Sequence, residues 1–97
     1  MVKKVVWIRQ AQDERQKIFD YWTSHNKSTV YSIKLNALIK KHLSLACKYP
    51  QIGRTTSFAE VRLIIIKNYL LFYKNTQNHL VVIAIWDSTQ DQANMKL

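Results

Sequence analysis

Acidic side chains are scarce in this chain: six Asp and Glu stand against fifteen Lys and Arg, and none falls between Tyr21 and Ala59. Lys27, Lys34, Lys40, Lys41, Lys48 and Arg54 all lie in that interval, so no carboxylate is available at i,i+4 to make a salt-bridged helix surface. Residues 1–54 hold eleven Lys and Arg against three acids, and residues 55–97 hold four against three. Such a basic surface repels itself and favours acidic partners, whether nucleic acid, an acidic protein or both. Cysteine is limited to Cys47, which excludes an internal disulfide and points to a reducing cytoplasm. The opening "MVKKVVWIRQ" has no apolar segment of signal-peptide length. The longest apolar stretch, "VRLIIIKNYLLFY", is broken by Lys67 and Asn68, short of the roughly 18 continuous residues a membrane span requires, so it belongs to a core. With Gly53 as its only glycine, the chain has neither a glycine-rich phosphate loop nor a nucleophile elbow. His25, His42 and His79 show no metal-ligand spacing among themselves or with Cys47, and no cofactor is expected.

The chain is long enough to bury a core without a metal or disulfide, and a single domain over 1–97 is expected. β-Branched and aromatic residues make Val2 to Ile8 a first strand. In "QAQDERQKIFDYWTSH" the positions Ala11, Arg15, Ile18 and Trp22, widened by Phe19, form an amphipathic stripe on a helix ending near Ser24, with Asp13 and Glu14 toward its positive end. A polar connector with Ser28 or Thr29 as N-cap leads into a second helix reaching about Cys47. Its expected stripe is Tyr31, Leu35, Leu38, His42 and Leu45, with Ile39 and Ala46 beside it, and Lys27, Lys34, Lys41 and Lys48 recur every seven residues along one flank. The short connector implies an antiparallel helical hairpin. Pro50 ends the helix and Gly53 supplies a turn. "AEVRLIII", "YLLFYK" and "LVVIAIW", parted by "KN" and "NTQNH", make a three-strand antiparallel meander. The expected fold is therefore α+β, ordered β-α-α-β-β-β. The two-helix hairpin covers one face of a small antiparallel sheet whose other face, also apolar, is at least partly covered.

Together these patterns resemble the RelE/ParE superfamily of bacterial type II toxins. The similarity is carried by "VVW", by "IFDYW", by "NKSTVYSIKLNALIKKHLSLACKYPQIGR" with its Pro-x-x-Gly-Arg exit, by "VRLIIIKNYLLFY", and by "IWDSTQDQ". The resemblance implies a small sheet carrying two helices, and neutralisation by an antitoxin that wraps the toxin. It also implies one of two activities. RelE-type relatives cleave mRNA in the ribosome with Lys, Arg, Tyr, His or Glu side chains, whereas ParE-type relatives poison DNA gyrase and cleave nothing. Ribosome-dependent mRNA cleavage is the leading expectation, gyrase inhibition the alternative, and a toxin retaining only antitoxin binding a third.

Cleaving RNA through its 2′-hydroxyl needs a base, an acid for the leaving oxygen, and positive charge on the phosphate. Arg62, in an otherwise apolar strand, must face solvent or be paired; it is either a phosphate-stabilising residue or the ion-pair partner of nearby Glu60. Arg54 is a second phosphate candidate, or a solvated loop residue. Tyr69 and Tyr73 share a face, and Tyr73 becomes a stacking or acid candidate if Arg62 shares it too; otherwise it packs in the core. Asp87 either orients Arg62 or Arg54 or caps a turn, and Trp86 is expected in the core. Lys34, Lys41, Lys48 and Gln90 are nucleic-acid-binding candidates, the lysines alternatively forming a solvated flank or an antitoxin-facing surface. In "IWDSTQDQ" Thr89 stands where many relatives carry Arg and Gln92 where they carry Pro, so the phosphate clamp implied by the family lacks one cation, which Lys96 replaces only if the tail folds back.

Overall fold

The computed structural model describes residues 3–88. Thr89, Gln90, Gln92 and Lys96 lie outside the described residues. The elements run β1 (Lys4–Trp7), α1 (Arg9–Asn26), α2 (Val30–Lys48), β2 (Arg54–Thr55), β3 (Val61–Ile66), β4 (Tyr69–Asn75) and β5 (His79–Asp87). They form one five-stranded sheet in the order β1-β5-β4-β3-β2. The meander β3-β4-β5 is antiparallel throughout. β1 instead pairs parallel with β5, Val5 opposite Leu80 and Trp7 opposite Val82, so the sheet is mixed. The two-residue β2, at the opposite edge, is an addition to the expected elements.

Both helices pack on one face. Ala11, Leu35, Ile39, Leu43 and Ala46 from the helices meet Ile64, Ile66, Tyr69, Leu71, Tyr73, Leu80, Val82 and Ile85 from the sheet in one core. The step from Val82 to Ile85 breaks strict alternation because of a bulge: Phe72 pairs with Ala84 and Tyr73 with Val82, leaving Ile83 as the extra residue. The other face is also apolar, with Val61, Leu70, Phe72 and Ala84 clustered against Leu63, Ile83 and Trp86.

Several local expectations shift. The buried stripe of α2 is Leu35, Ile39, Leu43 and Ala46; Leu45 is exposed and Leu38 and His42 are only partly covered. The helix is rotated so that the residues expected beside the stripe become its centre. α1 begins at Arg9 and has no acid in its first turn, so Asp13 and Glu14 sit beyond the strongest reach of the dipole. Lys27 is not on the α2 flank; it closes α1 in the left-handed conformation at φ 51°, its N–H donating to the Thr23 carbonyl. Thr29 is the N-cap of α2 but makes no side-chain cap bond, while Ser28 Oγ accepts the Val30 N–H at 3.2 Å.

Candidate functional site

The register of β3 against β4 places Arg62 directly opposite Tyr73, so the two side chains share the helix-covered face. Tyr73 is completely buried and engages the turn that follows α2. Its hydroxyl donates to the Pro50 carbonyl at 2.8 Å and accepts the Gly53 N–H at 3.0 Å. Arg62 grips the same turn, Nη1 donating to the Gly53 carbonyl at 2.8 Å and to the Gln51 carbonyl at 3.3 Å. The expected Arg62–Glu60 pair does not form: Glu60, at φ 63°, makes an exposed ion pair with Lys74 at 3.6 Å. Burial raises the Tyr73 phenol above its ordinary pKa, with the Gly53 N–H and the Arg62 charge opposing that rise. The phenol is therefore held protonated, its proton committed to a backbone carbonyl.

Gly53 is needed here for close approach, not for backbone freedom, since its φ is not positive. A Cβ at this position would lie 2.7 Å from the Tyr73 hydroxyl oxygen and 2.8 Å from its ring carbon Cε1. The ring is buried and cannot swing away. Gly53→Ala is accordingly expected to lower stability by about 1–3 kcal/mol through overpacking. Urea unfolding of the two proteins checks this, and an unchanged midpoint would show that the turn can retreat.

The remaining catalytic candidates lie elsewhere. Arg54 pairs with Leu63, whose side chain belongs to the face away from the helices, so Arg54 and Arg62 project to opposite sides of the sheet. Asp87 pairs with Tyr69 at the far end of β4, four residues or about 13 Å along the strand from Tyr73. Asp87 therefore orients neither Arg62 nor Arg54. It lines instead a groove of about 620 Å³ with Lys17, Tyr21, Asn68 and Tyr69. Tyr69, the other candidate aromatic of this strand, is buried and accepts the Trp22 indole N–H at 2.6 Å. Lys34, Lys41 and Lys48 are exposed along α2, and Gln90 falls outside the described residues. Among the described residues no group of His, Cys, Asp or Glu is arranged to hold a metal. No helix among them is long and apolar enough to cross a membrane.

One structural residue gave no signal in the sequence. Glu14 of α1 reaches past the end of β1, where β5 would otherwise present an open edge. Its carboxylate accepts the Ile85 backbone N–H at 3.1 Å and the Trp86 indole N–H at 2.6 Å. An acid on a helix and a Trp-bearing strand 72 positions later share no periodicity that would link them.

Comparison with known proteins bears on this arrangement. A family model described as the ParE toxin of the type II toxin–antitoxin system parDE matches residues 5–92. A solved structure described as the chromosomal ParDE system of P. aeruginosa superposes with a TM-score of 0.73 at 13% sequence identity, covering 89% of this chain and 96% of that one. No curated protein matches significantly in sequence. The extent of the family match, across both helices and every described strand, places this chain in the ParE toxin family of type II toxin–antitoxin systems.

Proposed function

We propose that this protein is a growth-inhibiting toxin that acts on DNA gyrase without cleaving nucleic acid, and that an antitoxin holds it inactive in the bacterial cytoplasm. The observation that carries this reading is the dispersal of the residues an RNase would need. Tyr73 has both hydrogen-bonding functions of its hydroxyl committed to the turn, and Arg62 spends one guanidinium nitrogen on the same turn. Arg54 lies across the sheet and Asp87 at its far end. Acid, base and phosphate clamp must converge within hydrogen-bond reach of one phosphate, and these four do not. A toxin that works by gripping a protein–DNA machine needs only a shaped, basic surface, which Lys34 and Lys41 on α2 supply in part.

The test is a supercoiling assay with purified bacterial gyrase and the purified chain, run beside translation of a reporter mRNA. Lost supercoiling with intact mRNA is the expected result. Cleaved mRNA with undiminished supercoiling would overturn the proposal in favour of ribosome-dependent cleavage, and activity in neither assay would mark a toxin reduced to antitoxin binding.

A further inference from the structure

A groove of about 540 Å³ runs between the edge strand β1 and the two helices, on the helix side of the sheet and away from the Arg62 turn. Its floor is apolar, built from Val5 and Trp7 of β1 and Leu43 and Cys47 of α2. Its rim is cationic, with Lys3, Arg15, Lys40 and Lys48, and no acid lines it.

Arg15 is the most informative of these. Its guanidinium carbon lies 4.1 Å from the centre of the Trp7 ring, and among the described residues it has no hydrogen-bond acceptor and no carboxylate partner. Half-buried and desolvated, it has a pKa drawn below the ordinary arginine value, with no carboxylate to offset that effect. Lys3 donates only to neutral oxygens, those of the Asn75 side chain and the Thr76 carbonyl, so its charge is also uncompensated. Planar guanidinium groups stacked on indole present their N–H edge outward in a fork suited to a carboxylate.

We propose that this groove is the docking site for an acidic amphipathic segment of the antitoxin, with a carboxylate of that segment seated on Arg15 over Trp7 and its apolar side chains on the Val5–Leu43–Cys47 floor. The inference rests on the reading of this chain as an antitoxin-neutralised toxin, but not on what the toxin attacks. A nucleic-acid backbone would satisfy the rim and leave the floor unused. Trp7 is also covered by Arg15, so it offers no free face for stacking a base. An acidic segment with an apolar face satisfies both.

Cys47 makes the proposal measurable, because it is the only cysteine in the chain and lines the floor. Its alkylation by iodoacetamide, followed by mass on the full-length protein, reports whether the groove is occupied. The probe is a synthetic amphipathic peptide with leucine on one face and glutamate on the other, compared with its glutamine counterpart and with a DNA duplex. The glutamate peptide is expected to protect Cys47 and the other two to fail. Arg15→Gln should raise the peptide concentration needed for half-protection roughly tenfold or more, as loss of a charge-assisted contact implies. Lys67→Gln, which removes an equal charge from the exposed β3–β4 turn, should leave it unchanged. If circular dichroism shows Arg15→Gln misfolded, the exposed Lys40→Gln makes the same test with a smaller expected shift. Equal protection by both peptides, protection by DNA, or indifference to Arg15 and Lys40 would overturn the proposal. Supercoiling by gyrase is measured on the free toxin, so failure of either reading leaves the other standing.

Discussion

Tyr73→Phe is expected to lower stability by about 2–4 kcal/mol, an effect out of proportion to the loss of one oxygen atom. Ring packing survives the substitution, but the Gly53 N–H and the Pro50 carbonyl both lose their partner, and Gly53 is buried. Each orphaned backbone group costs about 1–3 kcal/mol where water cannot replace the lost bond. Thermal unfolding should move down by roughly 10 °C or more for a domain of this size. A loss under about 0.5 kcal/mol would mean that Arg62 alone holds the turn. The substitution also has a signature in alkali. The Tyr73 phenol has its pKa raised by burial above the model value of 10.0. Unfolding releases its proton in that range, so the stability it contributes is complete below about pH 10 and falls as pH rises beyond it. Tyr73→Phe should remove part of that alkaline loss; Tyr69, whose pKa burial also raises, retains the rest.

Glu14→Ala is expected to be the second large effect, about 2–4 kcal/mol, although Glu14 lies on a surface helix where substitutions are usually tolerated. Two donors lose a charged acceptor at once: the Ile85 N–H on the part of β5 that β1 does not reach, and the Trp86 indole N–H. Glu14→Gln keeps the shape and one acceptor oxygen and should recover a good part of the loss. Amide exchange gives a local readout, because the Ile85 amide should lose protection ahead of its neighbours paired with β4. If Ile85 exchanges no faster in Glu14→Ala, the carboxylate is not what closes that edge.

The architecture was largely legible because it is written in local patterns. The strands of the meander are apolar runs punctuated by turn residues, and α1 follows its expected stripe of Ala11, Ile18 and Trp22. What escaped depends on partners distant in sequence. Nothing in "KKVVWIR" says that it will lie parallel to β5 rather than antiparallel, because alternation is the same in either direction. The α2 stripe was displaced for a related reason: several apolar positions compete on that helix, and the sheet it meets decides which face is buried. For the candidate site, the face shared by Arg62 and Tyr73 is as the alternation allowed. Their commitment to the turn was not visible, since it needs the Pro50–Gly53 segment brought beneath them by the fold. Gly53 was read as a source of backbone freedom, while the structure uses its missing side chain to admit a tyrosine ring. Glu14 left no local trace at all.

The parallel pairing of Lys4–Trp7 with His79–Val82 sets an order of events during synthesis. β1 leaves the ribosome early but has no hydrogen-bonding partner in the sheet until β5 follows. At roughly 5–20 residues per second, the intervening stretch takes about 4–15 seconds to make. Throughout that interval the nascent chain carries an unpaired apolar strand and a completed pair of basic helices but no closed sheet. A translating chain of this kind is exposed to any protein able to engage its first half before its last strand is released, so neutralisation has a window that opens before the toxin has finished folding.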